Sequence, residues 1–191
     1  MNLMNNAVIQ IPRPFNEPIL DHAPGSPERA ALKKALDEAA SREIEVPLVI
    51  GGKRVLTGRT GDMIMPHDHG HRLGVYHKAG PGEVQRAIDA AVAAQKDWQQ
   101  FRWEERAAIF LKAAELLAVK YRAQMNAGSM LNGGKTVFQA EIDAACELID
   151  FLRFNVAYAQ EIYEKQPASS RGVWNFVQQR PLEGFVFAVT P

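Results

Sequence analysis

The one thiol in the sequence, Cys146, offers the strongest nucleophile that side chains supply near neutral pH. It stands beside Ala145 and three residues before Ile149, on or next to an apolar stripe, and no His follows along that segment to take its proton. Free cysteine is among the most buried residue types, so a core position is expected for it. His67, His69 and His71 alternate and would share one face of a strand, where three imidazoles could approach a metal. Pro66 and Gly70 interrupt that run, and a polar turn is expected instead. Gly134-Lys135-Thr136 ends like a phosphate-binding loop, which needs a glycine five positions before its second glycine. That position is Ser129, with Gly128 one residue too early, and the segment follows an amphipathic helix rather than a strand. A helix-to-helix turn is the expectation. Asp143, Glu147 and Asp150 fall at i, i+4 and i+7, forming one acidic stripe. Either the stripe is a solvated face or one of its acids points into a site.

The elements that must position these residues follow from periodicity and punctuation. Residues 1–25 carry four prolines (Pro12, Pro14, Pro18, Pro24) and no periodicity, which predicts an extended arm lying on a larger surface. Ser26-Pro27-Glu28 supplies a hydroxyl cap, a first-turn proline and an early acid, and so marks a helix that fades near Arg42. Val46 to Ile50 and Arg54 to Leu56 flank Gly51-Gly52, the signature of a hairpin. Met63 to Met65 and Leu73 to Tyr76 predict two further strands around the His-rich turn. From Gly82 the period becomes 3.6, with Val84, Ala87, Ile88, Ala91, Val92 and Trp98 on one stripe. A second helix starts near Trp103, with Asn126 to Gly134 breaking its pattern. A third runs from about Thr136 to Glu164, burying Ile142, Ala145, Ile149, Leu152 and Val156, and Pro167 ends it. Val173 to Val177 reads as a strand, and as a candidate oligomerisation strand. Phe185 to Val189 is a wholly apolar strand, the kind that parallel α/β sheets cover on both faces. Parallel neighbours require crossover helices, and none follows within the 191 residues, so the sequence reads as cut at the threshold of its next domain.

Bulk properties narrow the function classes. Lys+Arg and Asp+Glu are equal at 22 each, so no net field draws the chain to nucleic acid or an anionic membrane. No apolar run approaches the roughly 18 residues of a membrane span. A single cysteine excludes an internal disulfide and a multi-thiolate metal site, and fits a reducing compartment. The first residues lack a basic secretory n-region, and the first Arg comes only at position 13. The expected location is the cytoplasm, or the mitochondrial matrix in a eukaryote.

Several stretches, in order over roughly 45–191, resemble the aldehyde dehydrogenase superfamily and its 1-pyrroline-5-carboxylate dehydrogenase branch. They are Pro47 to Lys53, Met65 to His69, Tyr76 to Ala79, Ser129 to Thr136, Ala140 to Phe151 and Pro181 to Val186. Ser129 to Phe151 is the distinctive block. The resemblance implies an α/β fold: 26–191 would be the incomplete amino-terminal part of a cofactor domain, ending on the first strand of a Rossmann-like sheet. It implies NAD-dependent oxidation of L-glutamate 5-semialdehyde to glutamate in proline degradation, by a homo-oligomer acting on a small-molecule aldehyde. In that chemistry a thiolate attacks the aldehyde, hydride passes to the nicotinamide and water hydrolyses the thioester. The family's catalytic cysteine and general-base glutamate match no residue of this sequence, so no catalytic residue is assigned and the chain alone is expected to be inactive. Val189, Thr190 and Pro191 match a strand end that lies along the cofactor. Glu147 matches an acid at the substrate channel. The competing expectation is a non-catalytic assembly module, with the arm and the 173–177 strand making subunit contacts.

Overall fold

The computed structural model describes residues 8–190. Helix α1 spans Pro27–Ala40, and the Ser26 hydroxyl caps it by accepting from the Arg29 N–H, as the Ser-Pro-Glu signature predicts. Pro47, which cannot donate to a ladder, separates two short strands with different partners. Strand β1 (Ile44–Val46) pairs in parallel with β5 (Asp68–His77), whereas β2 (Leu48–Ile50) forms an antiparallel hairpin with β3 (Lys53–Val55). The hairpin turn uses Gly51 and Gly52, both at positive φ. Strand β4 (Thr60–Met65) lies antiparallel to β5, giving a three-stranded sheet of order β1-β5-β4. Of the three histidines, His67 lies in the turn, while His69 and His71 belong to β5 and His71 contacts the Ala40 carbonyl through Nε2 (2.9 Å).

Helix α2 (Pro81–Trp98) follows, then α3 (Trp103–Leu116). The chain continues through a wider π-helical turn (Leu117–Tyr121) into α4 (Arg122–Gly133). Here the structure corrects the sequence reading, which broke the helix at Asn126. The residues from Asn126 are helical because Ala127 and Leu131 pack into the apolar core and the buried Asn126 donates to Glu141. The helix stops at Gly134, which sits at φ 66°, a left-handed conformation that glycine adopts without penalty. Thr136 then caps the next helix by accepting from the Gln139 N–H. Gly134-Lys135-Thr136 is therefore a helix-to-helix turn. Helix α5 (Val137–Ala140), a second π-helical turn (Glu141–Cys146) and α6 (Glu147–Glu164) run on as one rod.

Three small cores hold the layers together. Leu32 and Ala35 of α1 pack on Ala127 of α4. Met65 and Leu73 of the sheet pack on Leu131. Ala114 of α3 meets Ala145 and Ile149 of the long rod. Small residues let α3 and α6 approach closely, and Ile149, fully buried, contributes about 2–3 kcal/mol of transfer free energy.

Two predicted strands do not form. Val173 to Val177 contributes one isolated bridge, Ser170 to Val173, and Phe185 to Val189 joins no ladder. A strand is stabilised by its neighbours' hydrogen bonds, and neither segment is paired with a strand of either sheet. Val186 (74%), Phe187 (81%) and Val189 (82%) are correspondingly exposed. The fold is α/β as expected, but its terminal sheet strand has no sheet within this chain.

Candidate functional site

The acidic stripe separates into three environments. Asp143 is exposed and paired with Lys135 (2.7 Å). Asp150 is half-buried and accepts from the Glu17 N–H and from the Asn16 amide, each at 2.7 Å. Glu147 is exposed, and its carboxylate makes no hydrogen bond or ion pair among the described residues. It lies in a groove of about 640 Å³ whose floor is the long rod, including Cys146, Phe151 and Tyr158, and whose rim is Asn16, Glu17 and Ile19 of the arm. Of the three acids on the stripe, Glu147 is thus the one free to meet a ligand.

A fourth acid escaped the sequence reading. Glu141 is fully buried four residues before Ala145, on the same stripe as Ala145, Ile149, Leu152 and Val156. Its Oε1 accepts from the Leu20 N–H (2.9 Å) and from Arg122 Nε (3.1 Å) and Nη2. Its Oε2 accepts from Asn126 Nδ2 (2.6 Å) and contacts His22 Nε2 (3.1 Å). Burial pushes the Glu141 carboxyl up, but the hydrogen bonds from Arg122, Leu20, His22 and Asn126 outweigh it and hold it at about 2. Arg122 is likewise lowered by burial and raised further by Glu141 and Glu17, the net shift being upward. The available signal was an acid on an apolar stripe, matched by Arg122 and Asn126 at i, i+4 on the preceding helix.

Arg122 carries the cluster outward to the arm. It donates to Glu17 Oε1 (2.5 Å) and to the Pro18 carbonyl (2.6 Å), while Arg153 donates to Glu17 Oε2 (2.7 Å). Residues 11–22 of the arm lie on this chain's own helices. Cys146 sits at the edge of the cluster, 3.3 Å from Arg122 Nη2 and 3.7 Å from the Pro18 carbonyl. Burial pushes its thiol up to about 11, against the attraction of Arg122, so it is protonated at neutral pH. No histidine bonds to the sulfur among the described residues. This is a core thiol. Another sequence-predicted feature, the His67-His69-His71 run, gathers no group of three metal-ligating side chains among the described residues.

The residues assigned to the cofactor are not brought to this groove. Val189 and Thr190 are exposed in the tail, and Pro191 lies outside the described residues.

Comparison with known proteins gives this arrangement a context. The sequence is 49% identical over 187 residues to the delta-1-pyrroline-5-carboxylate dehydrogenase of Agaricus bisporus, covering 97% of this chain and 34% of that protein. It is 46% identical over 176 residues to the human mitochondrial delta-1-pyrroline-5-carboxylate dehydrogenase, covering 92% of this chain and 31% of that one. The fold superposes on the Mycobacterium tuberculosis Delta-pyrroline-5-carboxylate dehydrogenase bound with NAD, with a TM-score of 0.96 and 47% identity over 98% of this chain and 35% of that chain. The chain therefore spans about a third of the length of the curated relatives it matches. The model of the aldehyde dehydrogenase family matches residues 56–191, from the end of the β2–β3 hairpin through the helices that build the groove. With more than half of the sequence inside that match, the chain belongs to the aldehyde dehydrogenase family.

Proposed function

We propose that this chain is the amino-terminal portion of an NAD-dependent dehydrogenase that oxidises L-glutamate 5-semialdehyde, derived from 1-pyrroline-5-carboxylate, to L-glutamate in proline degradation. The observation that carries this reading is the 44–49% identity over nearly the whole chain to four fungal and amoebal proteins, all named as this dehydrogenase. NAD supplies the hydride acceptor in that chemistry. Val189, Thr190 and Pro191 would form one edge of its site, and the thiolate and general base would come from outside these 191 residues. What this portion contributes is the groove at Glu147. Glutamate semialdehyde carries an ammonium and a carboxylate at the end remote from its aldehyde, and a simple aliphatic aldehyde carries neither. The unpaired Glu147 carboxylate is suited to the ammonium, and a charge-assisted hydrogen bond of that kind contributes about 1.5–3 kcal/mol.

Several related proteins carry the word mitochondrial in their names, and no helix among the described residues is long and apolar enough to cross a membrane. The matrix in a eukaryote, or the cytoplasm in a bacterium, is the corresponding location for the whole enzyme. Homo-oligomeric assembly belongs to the same proposal, with 173–177 as the candidate contact.

Kinetics of the complete enzyme test the groove. Glu147→Ala should lower kcat/KM for glutamate semialdehyde by about tenfold, equivalent to about 1.4 kcal/mol, and leave a simple aliphatic aldehyde unaffected. Asp143→Ala is the control on the same stripe. Negligible effects of both substitutions on both substrates would return Glu147 to a solvated face.

A further inference from the structure

The arm is fastened along much of its length by hydrogen bonds to the helices. Between Ile11 and His22 it makes backbone or side-chain bonds to Gln160, Asp150, Glu141, Arg122 and Arg153. Two of its own amides, Glu17 and Leu20, donate to carboxylates of the long rod at 2.7 and 2.9 Å. Phe15 lies beneath the Arg153 guanidinium, 5.0 Å from its ring centre. At the centre is the Glu141–Arg122 pair, buried and shared between the arm, α4 and the rod. Buried pairs are costly to desolvate, so such a pair contributes less to net stability than to fixing one arrangement of the segments around it. The arrangement it fixes borders the groove at Glu147. Asn16 and Ile19 stand on the rim of the groove that holds Glu147, and both side chains are exposed there.

We infer that the arm is a specificity element of the enzyme: clasped by Glu141 and Arg122, it forms the wall opposite Glu147 that holds the amino-acid end of the substrate. Asn16 and Ile19 would border the substrate's polar end, while Glu141, Arg122 and Glu17 act as positioning residues that never reach it. This assignment rests on the reading of the groove as substrate-facing. It adds that the wall is made by a segment lying ahead of 56–191, the part matched by the family model. A family member lacking the arm would then keep its chemistry and lose discrimination for the amino-acid end.

The test uses the full-length enzyme and two variants. Asn16→Ala/Ile19→Ala alters the wall and leaves every bond of Glu141 in place. Glu141→Gln loosens the clasp. For both, KM and kcat are measured with glutamate semialdehyde and with a simple aliphatic aldehyde, and amide exchange is followed at Glu17 and Leu20. The wall variant should raise KM for the semialdehyde by about fivefold, with kcat within about twofold and the aliphatic aldehyde unchanged. The clasp variant should do the same and also accelerate exchange at both amides. Unchanged KM for the semialdehyde in the wall variant overturns the proposal, and it does so even if Glu141→Gln fails to fold. Glu147→Ala run alongside separates the two readings. A silent Glu147→Ala with an affected wall variant removes Glu147 and keeps the arm, and the reverse result removes the arm and keeps Glu147.

Discussion

Glu141 shows how a single buried charge is tolerated. Each carboxylate oxygen accepts at least one donor, and the pair with Arg122 is enclosed by arm and helices. Removing the charge leaves Arg122 buried without its main partner, so Glu141→Gln should destabilise the protein by about 3 kcal/mol in denaturant unfolding. Glu147→Ala, at an exposed unpaired site, should stay within about 0.5 kcal/mol. The same buried Glu141 carboxyl sets an acid limb. It titrates at about 2 in the folded chain against an ordinary value of 4.5, so its contribution is complete above pH 4.5 and is lost as pH falls toward 2. Wild-type stability should therefore fall more steeply over that window than that of Glu141→Gln. Cys146 makes a separate prediction: a thiol buried and held protonated should resist alkylation in the native protein at pH 7–8 and react on unfolding. Rapid native labelling would contradict its placement. At this scale the sequence made Cys146 legible, because a thiol on an apolar stripe is a common core residue. Glu141 was hidden because its partners lie 15 to 121 residues away, and pattern reading sees only neighbours within a few turns.

Elements with local signals were read correctly, and those that depend on distant partners were not. The Ser26 cap and the Gly51-Gly52 hairpin are each decided by a few adjacent residues. Pro47 divides its strand for an equally local reason, but only the structure shows that β1 then pairs in parallel with β5. Gly74 is what admits that pairing: a Cβ there would lie 2.0 Å from the Ile44 carbonyl oxygen. Gly74→Ala should thus push β1 away from β5 and cost at least about 2 kcal/mol. Gly128 is the opposite case, exposed within α4 and with nothing within 4 Å of the place an added Cβ would take. Gly128→Ala should stabilise by about 0.5–1 kcal/mol through reduced chain entropy. Thermal unfolding of the two variants side by side checks both signs. The strands expected at 173–177 and 185–189 fail for the reason that β1 succeeds, since a strand exists only where a neighbour completes its hydrogen bonds.

At the scale of the molecule, apolar surface is the dominant observation. The outer stripe of α2 contains no buried residue, and with Leu48, Val49 and Phe185 to Phe187 it lines an apolar cleft of about 620 Å³. Large exposed apolar surface of this kind marks a place where another segment or partner packs or a ligand binds. In the proposed whole enzyme, the remaining two thirds would cover it and supply the cofactor sheet, the thiolate and the general base. The present chain would supply the arm, its clasp and the Glu147 groove. The most direct test is NADH formation by the full-length protein with NAD and glutamate semialdehyde, measured beside the 191-residue chain alone. Semialdehyde-dependent NADH is expected from the full-length protein and none from the isolated chain. NADH production by the isolated chain that is abolished by Cys146→Ala would contradict this division of labour, as would a folded full-length protein that leaves the semialdehyde unoxidised.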